Sequence, residues 1–80
     1  MNKGIYRKNF PWQSCVATLS PDGTRTLKTE WRGHLSCILA IRRCRDAVEN
    51  IQPGERKVVF YKDTATKVCT RVWPQAAALT

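Results

Sequence analysis

One stretch limits what this chain can become more than any other. Across residues 37–51, Cys37, Ile41, Cys44, Val48 and Ile51 recur at intervals of four, three, four and three, with Ala40 and Ala47 beside them. Those intervals follow one face of a helix. Ser36 stands where an N-cap belongs, and Pro53-Gly54 stops the run. The opposite face holds Arg42, Arg45, Asp46 and Glu49, with Arg42–Asp46 and Arg45–Glu49 at the i,i+4 spacing of weak ion pairs. A lone amphipathic helix must bury its stripe on something else, so the flanking segments have to supply a sheet.

The segment before it, WQSCVATLSPDGTRTLKTEW (residues 12–31), reads as a hairpin. Ser20-Pro21-Asp22-Gly23 suits a type I turn, with Gly23 left-handed as a bulge. In that register Leu19 faces Arg25, Ala17 faces Leu27 and Cys15 faces Thr29. One face then carries Cys15, Ala17, Leu19, Leu27 and Trp31, and it is the expected core. The expected outer face carries Trp12, Ser14, Val16, Thr18, Thr26, Lys28 and Glu30.

The last third, ERKVVFYKDTATKVCTRVWP, reads as a second hairpin turning near residues 63–66. Its pattern leaves the inward face open. Val58, Phe60 and Cys69 lie on one side, and Val59, Tyr61, Val68 and Val72 on the other. A hairpin apolar on both sides is central in its sheet or half-buried against a partner. The expectation is an α+β fold, a small antiparallel sheet of four or five strands on one α-helix. Its order is ββαββ, or βββαββ with a short strand at Gly4-Ile5-Tyr6-Arg7. Residues 1–75 form one domain, and residues 76–80 have too little to bury and form a flexible tail.

Charge and cysteines narrow the function. Lys and Arg number 14 against 6 acids, a formal net charge of +8, which favours contact with nucleic acid, anionic membrane or an acidic protein. The excess lies outside the helix: residues 1–33 hold six bases and two acids, and residues 53–80 five and two. The N-terminus lacks the apolar core of a signal peptide, and no run approaches the roughly 20 apolar residues of a membrane span. The reading is a complete small cytoplasmic protein that does not enter the membrane. Its cysteines, Cys15, Cys37, Cys44 and Cys69, are then thiols, expected as small buried hydrophobes. There is no C-x-x-C pair, and Cys37 and Cys44 would stand about 10 Å apart along one helix, too far for a disulfide. No metal site or cofactor is expected.

Catalysis finds no support. His34 is the only imidazole, and with Cys37 it makes an i,i+3 pair at the helix entry without an orienting carboxylate. There is no carboxylate dyad, phosphate-binding glycine loop or G-x-S-x-G elbow. The chain is expected to be non-enzymatic and to have no small-molecule substrate. Basic and aromatic residues carry more information. Lys3, Arg7, Lys8, Trp12, Arg25, Lys28 and Arg32 gather around the first hairpin, where cations can neutralise phosphates and an exposed Trp can stack.

From Gly4 to Ile51 the order resembles the Apetala-type DNA-binding domain and the arm-binding domain of tyrosine integrases. The resemblance rests on Gly4-Ile5-Tyr6-Arg7, on Trp12 opening WQSCVATL, on the turn and basic strand SPDGTRTLK, on Trp31 closing that strand, and on the helix ILAIRRCRDAV. It implies that an outer sheet face reads DNA through Arg7, Trp12, Arg25 and Lys28. Two features depart from the family: Glu30 stands where it has Gly, and the second hairpin is additional. In size, autonomy, charge and lack of catalytic residues, the whole chain is similar to stand-alone phage or mobile-element inhibitors of bacterial defence, notably anti-CRISPR proteins.

The leading expectation is therefore an anti-CRISPR-like inhibitor in the host bacterial cytoplasm, monomeric or homodimeric. It would bind a CRISPR-Cas or other nucleoprotein effector and block engagement of target DNA. Arg7, Arg25, Lys28 and Lys57 would supply charge, and Trp12, Tyr61 and Trp73 anchors. The alternative is a small DNA-binding regulator or recombination accessory protein. Weak DNA or RNA binding is compatible with both.

Overall fold

The computed structural model describes residues 10–74. Its elements are β1 (Trp12–Leu19), β2 (Thr26–His34), α1 (Cys37–Glu49), β3 (Arg56–Asp63) and β4 (Cys69–Trp73). The four strands form one antiparallel sheet in the order β2-β1-β3-β4. The fold is α+β, in the order ββαββ. The additional strand expected at residues 4–7 and the tail expected at 76–80 lie outside the described residues.

The strand order explains where the helix must go. Both β2 and β3 pair antiparallel with β1, so they run parallel to each other, and parallel strands need a crossover connection. The connection is α1, which crosses over β1 on one side of the sheet. Ser36 caps it as expected, its Oγ accepting from the Leu39 N–H at 3.3 Å. The helix ends at Glu49, with Asn50 closing it, so Ile51 lies past the end rather than on the stripe. Pro53-Gly54 follows in a turn, in which the Glu55 N–H donates to the Gln52 carbonyl at 3.0 Å.

The side of α1 facing the sheet is small. Ala40 and Cys44 are fully buried, and Ala47 and Val48 are partly buried. Small side chains let the helix approach closely, and the core it closes is Val16, Cys44 and Val59, flanked by Tyr61 and Val72. Burying each valine contributes about 1.5–3 kcal/mol. The solvent side of α1 differs from expectation. Ile38 and Leu39 are exposed beside Arg42 and Arg45, and the ion pairs closed among the described residues are Lys28–Glu30 and Lys57–Glu55, not the two helical ones.

The sheet faces are reversed relative to expectation. Val16 lies in the core under the helix, and strand side chains alternate, so Trp12, Ser14 and Thr18 share its side. Their partners His34, Arg32, Glu30 and Lys28 on β2 share it too. The face expected to be outer is the one α1 covers. Cys15, Ala17 and Trp31, expected as core, look away from the helix. In the second hairpin, Val59, Tyr61 and Val72 take the helix side and Val58 and Phe60 the free side.

The first turn explains a second correction. Gly23 is left-handed (φ +77°), and its N–H donates to the Ser20 carbonyl at 2.8 Å, as a type I turn requires. The connection is longer than expected because Asp22 organises it. Its Oδ1 accepts from Ser20 Oγ at 2.5 Å, Thr24 N at 3.0 Å and Thr24 Oγ1 at 2.8 Å. These hydrogen bonds, Ser20 first and then Thr24, hold the carboxyl down at about 2. A further register shift lies between Thr18 and Leu19, leaving Leu27 unpaired and exposed. Ala17 therefore faces Thr29 and Cys15 faces Trp31, each two residues from the expected partner. A shift of two keeps every side chain on its own face.

Candidate binding face

The helix-free side of the sheet can be read row by row. Trp31, Cys15, Phe60 and Arg71 lie across the four strands in one row. Gly33, Gln13, Lys62 and Cys69 form the next row, and Thr29, Ala17 and Val58 the row on the other side. Leu19 pairs with Arg56 near the sheet's end. Among the described residues no helix lies on this side, yet Cys15 is only 1% exposed. Its strand partners Trp31 and Phe60 meet edge to face, centroids 5.4 Å apart at 85°. Lys62 Nζ stands 5.8 Å from the Trp31 ring centroid, within cation–π range. The indole is held in place yet remains 47% exposed.

Gly33 extends this aromatic floor. The ring of Phe10 lies where a side chain at position 33 would project, with its Cβ 3.0 Å from an added Cβ, so only glycine admits it. Beside it, Gln13, Thr29, Trp31, Arg32, Gly33 and Lys62 line a hollow of about 440 Å³.

The charge on this face is one-sided. Arg56, Lys62 and Arg71 occupy its strand positions, and none of the six acids does. Glu30 and Asp63 pair onto the helix side. Asp46 and Glu49 are on α1, Asp22 is in the first turn, and Glu55 precedes β3. Strands β2, β3 and β4 thus present cations and aromatics without a carboxylate at the strand positions of this face.

The site residues expected from sequence are distributed differently. Trp12 and Tyr61 are half-buried on the helix side, in contact with each other at 6.1 Å. Lys28 and Lys57 are on the same side, each beside an acid: Lys28 3.7 Å from Glu30, Lys57 3.8 Å from Glu55. Arg25 is exposed at the hairpin connection. Trp73 ends β4 opposite Val59 and lines a separate hollow with Leu19, Arg56 and Val58. Arg7 lies outside the described residues. The structure therefore does not gather this set into one surface. Trp31, Phe60, Lys62 and Arg71 were missed as a group, although the period-2 alternation already placed Trp31 with Cys15 and set Phe60 apart from Tyr61.

Beneath the helix lies a polar network. Ser14 is fully buried, its Oγ 2.7 Å from His34 Nε2 and 3.2 Å from Arg43 Nη1, and Arg43 also reaches the Glu30 carbonyl at 3.4 Å. Arg43 can only donate, so Ser14 Oγ accepts from it, and the direction of the Ser14–His34 hydrogen bond follows the imidazole tautomer. Burial lowers the His34 pKa, with Arg43 and Arg32 adding to the effect. The contact is sealed between sheet and helix and offers a substrate no access to Ser14.

The cysteines divide likewise. Cys15 and Cys44 are buried, Cys37 is half-buried, and Cys69 is exposed on the helix-free face, contrary to the expectation that all four pack inside. All four are free thiols. Burial raises the Cys15 pKa and pushes Cys44 up to about 11, its Sγ lying 3.5 Å from the Phe60 carbonyl. Among the described residues no helix is long and apolar enough to cross a membrane, and no cluster of three metal-ligating side chains occurs. No known family matches the chain, and neither does any curated protein or solved structure.

Proposed function

We propose that this is a non-catalytic binding protein whose helix-free sheet face docks on a nucleoprotein effector of bacterial defence and blocks its engagement of target DNA. The observation that carries the reading is the face itself: Arg56, Lys62 and Arg71 around the Trp31–Phe60 pair, with no carboxylate at its strand positions. Such a surface complements a polyanion electrostatically and supplies rigid aromatic anchors near its centre. The sealed Ser14–His34 contact fits binding better than chemistry.

The test is inhibition of target DNA binding by purified CRISPR-Cas effector complexes, with wild type and with Lys62→Glu combined with Arg71→Glu. Wild type inhibits at least one effector class, and the double variant keeps its thermal stability while losing inhibition. Equal inhibition by both proteins would remove the face from the mechanism. A regulator is the outcome instead if no effector is inhibited and the free protein selects one duplex sequence over others at physiological salt.

A further inference from the structure

The hollow beside Trp31 allows the ligand class to be narrowed. Resting on the reading above, we infer that it takes an unpaired nucleotide, so that the face engages single-stranded nucleic acid rather than duplex. Its volume of about 440 Å³ falls within the roughly 300–1,000 Å³ typical of small-ligand sites. Its lining divides by chemistry. Trp31 supplies an exposed indole whose orientation is fixed by Phe60. Lys62 supplies a cation for phosphate, and Gln13 and Thr29 supply donors and acceptors for the edge of a base, while Arg32 borders the hollow from a strand position on the helix side. Among the described residues no carboxylate lines it.

An unpaired base matches this set better than the alternatives. Stacking on an aromatic side chain requires a base face free of its neighbours, which a duplex hides and a single strand offers. The hollow is concave and set on a broad sheet, whereas duplex readers insert a protruding helix or ribbon into a groove. A purely acidic peptide would use the cations and could bond to the Gln13 amide, but it has no ring to stack on the fixed indole. The remaining cations, Arg71 and Arg56, continue across the same face, where phosphates of neighbouring nucleotides would run.

Fluorescence anisotropy of the full chain decides it, with three labelled probes at two salt concentrations: a 12-residue oligothymidylate, a 12-base-pair duplex and polyglutamate. Oligothymidylate binds at least tenfold tighter than the duplex. Trp31→Ala weakens it by about tenfold, within the range for one stacked base, and leaves polyglutamate binding unchanged. Lys62→Gln reduces the salt slope by about 0.7. Trp31→Phe, which keeps an aromatic against Phe60, retains binding and controls for folding. Equal or tighter duplex binding, an unchanged affinity in Trp31→Ala, or polyglutamate binding as tight as oligothymidylate would overturn the inference, the last in favour of an acidic protein surface. The two proposals fail separately. Effector inhibition that survives Trp31→Ala but not the Lys62/Arg71 reversal refutes the nucleotide site alone, and Trp31-dependent oligonucleotide binding without effector inhibition refutes the proposed function alone.

Discussion

The two sides of this sheet put their apolar residues to different uses. Directly under the helix the apolar groups are small, Val16 and Val59 against Ala40, Cys44 and Ala47, with the half-buried Trp12 and Tyr61 paired beside them, and no buried side-chain polar atom among the described residues lacks a partner. On the free side the aromatic pair Trp31 and Phe60 stands in the row of the buried Cys15, with the smaller Ala17 and Val58 in the next row. Close approach of a helix selects small residues, because backbone separation sets how much volume fits between them. An aromatic pair can instead shield a strand without a second layer and remain accessible to a ligand. Cover by the helix, rather than hydrophobicity, separates packing from presentation here.

The largest expected effect tests this within one strand. Val59 is fully buried between Val16 and Cys44, whereas its neighbour Val58 is partly exposed on the free side. Val59→Ala should cost about 2–3 kcal/mol, a fall in Tm of about 10–20 °C for a domain this small, and Val58→Ala less than about 1 kcal/mol. Calorimetry of the two variants checks it. Equal losses would mean that the free side is packed as tightly as the covered one.

A smaller effect probes the free side's own packing. Gly33→Ala drives a methyl into Phe10 and should cost about 1–2 kcal/mol by overpacking. Adding Phe10→Ala should recover part of that loss, a coupling that a thermodynamic cycle reads directly. Additive losses would show that Phe10 does not rest on Gly33.

These residues also show how far the sequence was legible. The helix, its Ser36 cap, the left-handed Gly23 and both hairpins follow from local chemistry; the helix stops two residues before the expected Ile51, and the first hairpin keeps its place but not its register. Alternation sorted Cys15 with Trp31 and Val16 with Glu30 correctly. It does not say which side a helix will cover, and counting apolar residues chose the side with Trp31. The helix contained part of the missing information: a stripe of Ala40, Cys44 and Ala47 fits closely over Val16 and Val59. The register was hidden for another reason. Asp22 bonds to Ser20 and Thr24 across its own turn, and the two-residue displacement it accompanies leaves no trace in the alternation.

The buried polar network gives a pH dependence specific to the covered side. Burial and the nearby Arg43 and Arg32 lower the His34 pKa below its ordinary 6.5. The unfolded chain therefore takes up this proton first on acidification. The stabilisation is present above pH 6.5 and is lost as pH falls from there towards the lowered value. The Tm should decline between pH 7.5 and 5.5, and His34→Gln, which offers Ser14 an acceptor that does not titrate, should flatten that decline. Asp22, already held down at about 2, acts only below pH 4, outside this window. An unchanged pH profile in His34→Gln would show that the imidazole is not buried against Arg43.

The smallest expected effect compares the two sides through single lysines. Lys28 pairs with Glu30 at 3.7 Å, both side chains about half or more exposed, so Lys28→Ala should change stability by no more than about 0.5 kcal/mol. Lys62, on the opposite side, stands over Trp31 with no acid in its row. Measured against oligothymidylate over a range of salt, Lys28→Ala should leave affinity within about twofold, because Glu30 already offsets the cation and the helix side carries other acids. Lys62→Ala should instead lower the slope by about 0.7, the signature of one lost phosphate contact on a single strand. Because the two substitutions remove the same charge from the same chain, net charge cancels from the comparison and only position remains. If Lys28→Ala flattened the slope as much as Lys62→Ala, polyanions would be meeting the protein without regard to its two sides, and the division between a packed face and a presenting face would have no consequence for binding.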